Sequence, residues 1–192
     1  MSPASATPPD TQPSQTATPQ VAVSRWQRLH AYQLLWWLSL GVFVADQLSK
    51  AWISATLPFP TYDPSDGAIT VIDGFFYITH VGNTGAAWSL FAGQTTMLAL
   101  LAVITLGGIY YWRSALELKK RPIQFAFGLL CGGIIGNLVD RVIHGHVIDF
   151  FDFHFGDYIY PTFNIADAGI CVGVIIYLIY SFRQPAPPEP VE

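Results

Sequence analysis

Four predominantly apolar stretches, at 34–53, 95–112, 123–143 and 163–182, are each long enough to cross about 30 Å of hydrocarbon as a helix rising 1.5 Å per residue. A chain in lipid has no water to satisfy its backbone, so segments of this kind must close their hydrogen bonds internally. The expected fold is therefore an all-α membrane protein, a bundle of four transmembrane helices. Composition agrees: 52% of the 192 residues are hydrophobic and only 11% are charged.

The placement of the nine Lys and Arg residues gives the bundle a direction. Arg25 and Arg28 precede the first stretch, Arg113, Lys119, Lys120 and Arg121 fill the connection between the second and third, and Arg183 follows the fourth. None occurs at 51–111 or 142–182. Basic residues stay on the cytoplasmic side, so both termini and the central connection are expected inside and the other two loops outside. Residues 1–24 and 184–192, rich in Pro and other small or polar residues, read as a disordered cytoplasmic tail at each end. Cys131 and Cys171 lie within apolar stretches and read as small hydrophobic filler.

The first outer connection, about 58–92, has a different pattern. Residues 69–72 and 75–81 are rich in β-branched and aromatic side chains, and Asp73-Gly74 between them suits a tight hairpin turn. A small extracytoplasmic β-hairpin lobe is expected, packed on the helix ends or lying in the membrane interface.

Polar residues inside the stretches are grouped. Asp46 and Lys50, spaced i and i+4 with the acid first, share a helix face and can pair. On the third stretch Gly128, Gly132 and Gly136 form a small-residue stripe that admits another helix, and Gly133, Asn137 and Asp140 continue on the neighbouring face. Gly169 and Gly173 make a shorter stripe on the fourth, beside Asn164 and Asp167. The two stripes are expected to turn the third and fourth helices towards each other.

Asp149 and Asp167 stand at the edges of these apolar segments, where carboxylates are costly and a functional role is the default hypothesis. Two carboxylates in one desolvated site share a proton, one serving as base and the other as acid towards a water and a scissile carbonyl. Asp140 competes with Asp149 as partner of Asp167. Its neighbours Asn137 and Arg141 favour a structural role, in which charge and hydrogen bonds hold it ionised, but spacing alone does not decide between the two.

The ordered motifs Asp46-Gln-Leu-Ser-Lys50, Asn83-Thr-Gly-Ala-Ala-Trp-Ser89, Gly136-Asn-Leu-Val-Asp-Arg141, Gly145-His-Val-Ile-Asp-Phe150 and Phe163-Asn-Ile-Ala-Asp167 resemble those of the lipoprotein signal peptidase family, also called signal peptidase II. The resemblance implies a bacterial inner-membrane aspartic peptidase, a domain at 25–183, that removes signal peptides from diacylglyceryl-modified prolipoproteins just before the lipidated cysteine. It selects Asp149 and Asp167 as the catalytic pair. By the same resemblance Asn83 and Arg141 contact the substrate backbone, Asn137 and Asn164 support the aspartates, and Asp46 with Lys50 braces the outer end of the first helix. Ser49 stands where Thr is common in the family and Trp88 where Phe is common. The expected partners are prolipoproteins and membrane lipids, with no cofactor, no metal and no nucleic acid.

Other chemistries fit the residues less well. His144, His146, Asp149, Asp152 and His154 cluster in sequence but lack a zinc-binding helix motif. Ser49 and Lys50 are adjacent and point about 100° apart on a helix, which disfavours a Ser-Lys pair. A small ion or proton transporter is the alternative of another class, since intramembrane carboxylates also build relays. The acids all sit towards the outer ends of the helices, a depth that suits a lipid-anchored substrate. The aromatic-rich loop at 150–160, with Trp88 and the hairpin, is expected to cover the cleft.

Overall fold

The computed structural model describes residues 30–184, so the two expected tails lie outside the described residues apart from Gln184. Helix α1 runs Gln33–Thr56, and Pro58 marks its end, because the residue before a proline is driven out of helical geometry. Helix α2 is Thr95–Tyr111 and α3 is Arg121–His144, with Pro122 in its first turn and Gly145 closing it at φ 75°. Helix α4, Ile165–Phe182, begins at Asn164. The helices thus stand where the four apolar stretches predict them. Helices α3 and α4 are each long and apolar enough to cross a membrane, whereas α2 is apolar but shorter.

The β structure is larger than the expected hairpin. Strands β1 (Ile69–Ile72), β2 (Phe76–Asn83), β3 (Val147–Phe155) and β4 (Tyr158–Ile159) form one antiparallel sheet in that order. The hairpin turns at Asp73-Gly74 as expected, with Gly74 at φ 72°. Every residue of β1 is exposed, so the hairpin is anchored through β2, which pairs with β3 and touches α1. The segment 150–160 is therefore mostly strand, not a loop. Phe151, Phe153 and Phe155 alternate with Asp152 and His154, a period-two signal that was available in the sequence.

Helix α3 is the centre of the bundle, packed by both α1 and α4. The Gly128 stripe receives α1 rather than α4. A Cβ at Gly132 would lie 2.6 Å from Ser39 O, and one at Gly136 would lie 2.5 Å from Asp46 Oδ2. The neighbouring face receives α4, where a Cβ at Gly133 would collide with Ala166 O and one at Gly173 would come within 2.6 Å of Ala126 O. Helices α3 and α4 do turn towards each other as expected, with the Gly169 and Gly173 stripe set against α3, but the Gly128 stripe seats α1: glycines on two faces of one helix seat two different partners. Apolar cores lie at both ends, Leu35, Ile123 and Phe127 at one and Ile53, Ile148 and Phe150 at the other.

Candidate active site

Asn164 links the two aspartates. As the cap of α4 its Oδ1 accepts the Asp167 N–H at 2.8 Å, and the Asp167 carboxylate accepts the Asn164 N–H at 3.3 Å. This reciprocal capping fits a carboxylate in the first turn, where free N–H groups and the helix dipole favour negative charge. The Asn164 amide nitrogen then faces β3 and donates to Asp149 Oδ1 at 2.7 Å. An isolated backbone bridge holds the two segments together, with Phe151 N–H donating to Phe163 O at 2.8 Å and Phe163 N–H to Phe151 O at 3.2 Å.

Each aspartate has a second amide donor. Asn83 Nδ2 donates to Asp149 Oδ2 at 3.0 Å, and Asn83 Oδ1 is fixed by the Gly85 N–H at 2.8 Å. On the other side Asn137 Nδ2 donates to Asp167 Oδ1 at 2.7 Å. Burial and, after it, the nearby Asp167 carboxylate push the Asp149 carboxyl up to about 8. The two asparagines on Asp149 oppose that rise without cancelling it.

Behind Asn137 lies a buried charge cluster. Lys50 Nζ sits 2.8 Å from both Asp46 Oδ2 and Asp140 Oδ2 and donates to Asn137 Oδ1 at 3.1 Å. Asp46 and Asp140 are further satisfied by the backbone N–H groups of Ala166 (2.9 Å) and Ile148 (3.1 Å). Asp140 is thus paired with Lys50, not placed beside Asp167, and its cationic partner is not Arg141 as the sequence suggests. Adjacent helical residues point about 100° apart, so Arg141 leaves in another direction and donates Nη2–H to Gly85 O at 2.9 Å. Its Nε is buried and has no partner. Gln47, which sequence reasoning passed over, bridges Asp140 Oδ1 at 3.0 Å and Asp46 Oδ2 at 3.2 Å; its only signal was an amide in an apolar stretch.

The aspartates open onto a cavity of about 1150 Å³ that also takes in Asn83, Asn137 and Arg141. Its polar end is formed by the ends of β2 and β3, and its apolar walls by α2 at Leu98 and Leu101, α3 at Ile134 and α4 at Ile170. Trp88 and Tyr160 line it too, with ring centroids 6.5 Å apart. Cys171 lines the same cavity, whereas Cys131 is buried, and both thiols are free. The histidines disperse: His146 stacks on Phe59 at 5.2 Å, and His154 pairs with Asp152 at 2.7 Å. Among the described residues no three His, Cys, Asp or Glu side chains are grouped to hold a metal ion.

The sequence profile of the family described as Signal peptidase (SPase) II matches residues 38–183. A protein of Listeria welshimeri named lipoprotein signal peptidase is 37% identical over 76% of this chain and 90% of its own length. One of the same name from Thermosynechococcus vestitus is 39% identical over 76% of this chain and 89% of its own. Among solved structures, a bacterial membrane enzyme determined at 2.3 Å resolution superposes with a TM-score of 0.72 at 30% identity, covering 83% of this chain and 95% of that one. Matched over most of its length in sequence and in fold, the chain belongs to the signal peptidase II family of peptidases.

Proposed function

We propose that Asp149 and Asp167 are the catalytic pair of an aspartic endopeptidase that cuts diacylglyceryl-modified prolipoproteins just before the lipidated cysteine. The observation that carries this reading is the single residue Asn164, whose side-chain Nδ2 bonds the Asp149 carboxylate and whose backbone N–H bonds that of Asp167, leaving both facing one cavity. Asp149, with its raised affinity for a proton, is the acid. Asp167, fed by two N–H donors and backed through Asn137 by the Lys50 ammonium, is the base. Asp167 takes a proton from a water as the water oxygen bonds the scissile carbonyl carbon, and Asp149 gives its proton to the carbonyl oxygen. Collapse of the tetrahedral diol breaks the C–N bond: Asp149 takes back a proton from a diol hydroxyl as the carbonyl reforms, and the proton held by Asp167 passes to the leaving nitrogen. Arg141, with an unused N–H, and Asn83 are placed to hold substrate backbone.

All four helices cross the bacterial inner membrane in this reading, with the termini inside and the aspartates near the outer leaflet. The apolar outward faces support it: Trp37, Leu40 and Leu48 on α1, Leu100 and Ile104 on α2, Ile175 and Ile179 on α4 are all exposed. A substrate held in the bilayer by its acyl chains then reaches the cavity by lateral diffusion. The transporter alternative is not favoured by the named relatives.

The test is processing of a diacylglyceryl-modified prolipoprotein by wild type, Asp149→Asn, Asp167→Asn and Asp140→Asn at equal expression. The first two are expected to lose at least about 100-fold in rate, the scale of a lost general acid or base. Full activity in either, or inhibition of the wild type by chelators, would refute the mechanism.

A further inference from the structure

A second cavity, of about 610 Å³, lies at the end of the bundle away from the aspartates, between the start of α1 and the start of α3. It is lined by His30, Leu34, Trp37, Lys119, Arg121 and Gln124. Its charge is one-sided. In the connection before α3, Lys120 is neutralised by Glu117 at 2.7 Å, and Arg113 lies over the Tyr110 ring and donates to Tyr110 O. Lys119 and Arg121, on either side of Lys120, line the cavity instead, and among the described residues neither has a carboxylate within ion-pair reach. Gln124, buried in the cavity floor, ties the two walls together by donating to Ala31 O at 2.7 Å and Lys119 O at 3.1 Å. The site is therefore braced across α1 and α3.

The cavity is continuous with an apolar wall. Leu34 and Trp37 lie on α1 at its rim, Trp37 is 71% exposed, and the exposed Leu40 and Val44 continue along the helix. Two cations at a helix end beneath an exposed tryptophan match an anionic headgroup whose acyl chains lie along the helix. We infer that this cavity binds the phosphate group of an anionic phospholipid, with Lys119 and Arg121 as its ligands and α1 as the surface for its chains. The site rests on the membrane placement of the helices proposed above.

The test uses the full chain in detergent micelles, offered phosphatidylglycerol and phosphatidylcholine in equal amounts and analysed by native mass spectrometry. Wild type is expected to keep one phosphatidylglycerol in several-fold excess over phosphatidylcholine. The double variant Lys119→Gln, Arg121→Gln is expected to lose that excess while processing substrate at the wild-type rate. Equal retention of the two lipids by wild type, or an unchanged preference in the double variant, would overturn the assignment. Excess inorganic phosphate is expected to leave the lipid in place; displacement would identify a site for free phosphate instead. A preference that emerges only on deletion of residues 185–192, which carry Glu189 and Glu192, would give the cavity to the chain's own acidic segment. Release of the chain from membranes by alkaline wash without detergent would sink the membrane placement itself, an outcome distinct from any lipid result.

Discussion

Asn164 uses every polar atom it has: its Oδ1 and N–H complete the cap with Asp167, and its Nδ2 serves Asp149. Asn164→Ala removes the side-chain acceptor that caps α4, worth about 1 kcal/mol, and the Nδ2 donor to Asp149, while the backbone N–H that serves the Asp167 carboxylate remains. Thermal unfolding in detergent is expected to show that loss, and the processing assay a fall of at least about 10-fold in rate, since the two carboxylates lose their common anchor. Asp149 adds a pH dependence of definite sign. Its carboxyl is raised from 3.8 to about 8 in the fold, so between those values the folded chain holds a proton that the unfolded chain has released. This contribution to stability is complete below the lower value and is lost as pH rises towards the higher one. Stability of the wild type measured across that range is expected to fall more steeply with pH than that of Asp149→Asn; parallel profiles would contradict it. With Asp149 in the proposed role of acid, processing activity is expected to decline as pH passes about 8. The sequence made both aspartates visible through the cost of a charge beside apolar segments. It left open whether Asp140 belonged with them, because the Lys50 that claims Asp140 is 90 residues away in the chain and comes near only through packing of α1 on α3.

Helix α3 shows what small residues decide at the scale of an element. Gly132→Ala places a methyl 2.6 Å from Ser39 O and 2.8 Å from Val42 Cβ, both on α1, so the helices must separate. A loss of about 1–3 kcal/mol is expected in thermal unfolding, the range for overpacking a fitted contact. Gly107→Ala on α2 is the control: nothing lies within 4 Å of the new methyl, and helix propensity alone favours the change by up to about 1 kcal/mol. A glycine stripe in the sequence announces close approach without naming the partner, which is why the Gly128 row was expected against α4 and is found against α1. Strand β3 was hidden for a different reason. Its first four residues are all buried, Asp149 among them, and a short apolar run of that kind carries no clear period, so the alternation that marks a strand begins only at Phe151.

Across the whole molecule, Lys50, Asp46 and Asp140 form a buried joint between α1, α3 and α4, the last through the Ala166 N–H on Asp46. Removing the ammonium alone leaves two carboxylates buried without a cation, so Lys50→Met is expected to destabilise the protein by about 3–5 kcal/mol. The triple variant Asp46→Asn, Lys50→Met, Asp140→Asn removes the charges together and is expected to recover a large part of that loss in the same unfolding measurement. Stability of the triple variant no better than that of Lys50→Met would show that the joint does not act as a balanced charge cluster. The membrane-length helices, the hairpin turn and the residue types of the site follow from the sequence, because hydropathy, turn chemistry and the cost of a buried charge are local properties. Which helix fills which glycine groove, which acid Lys50 neutralises, and how one asparagine comes to hold both aspartates were decided by tertiary structure. Those contacts join segments far apart in the chain, and only the packing of α1 and α4 on α3, with β3 bridged to the start of α4, brings them within hydrogen-bond reach.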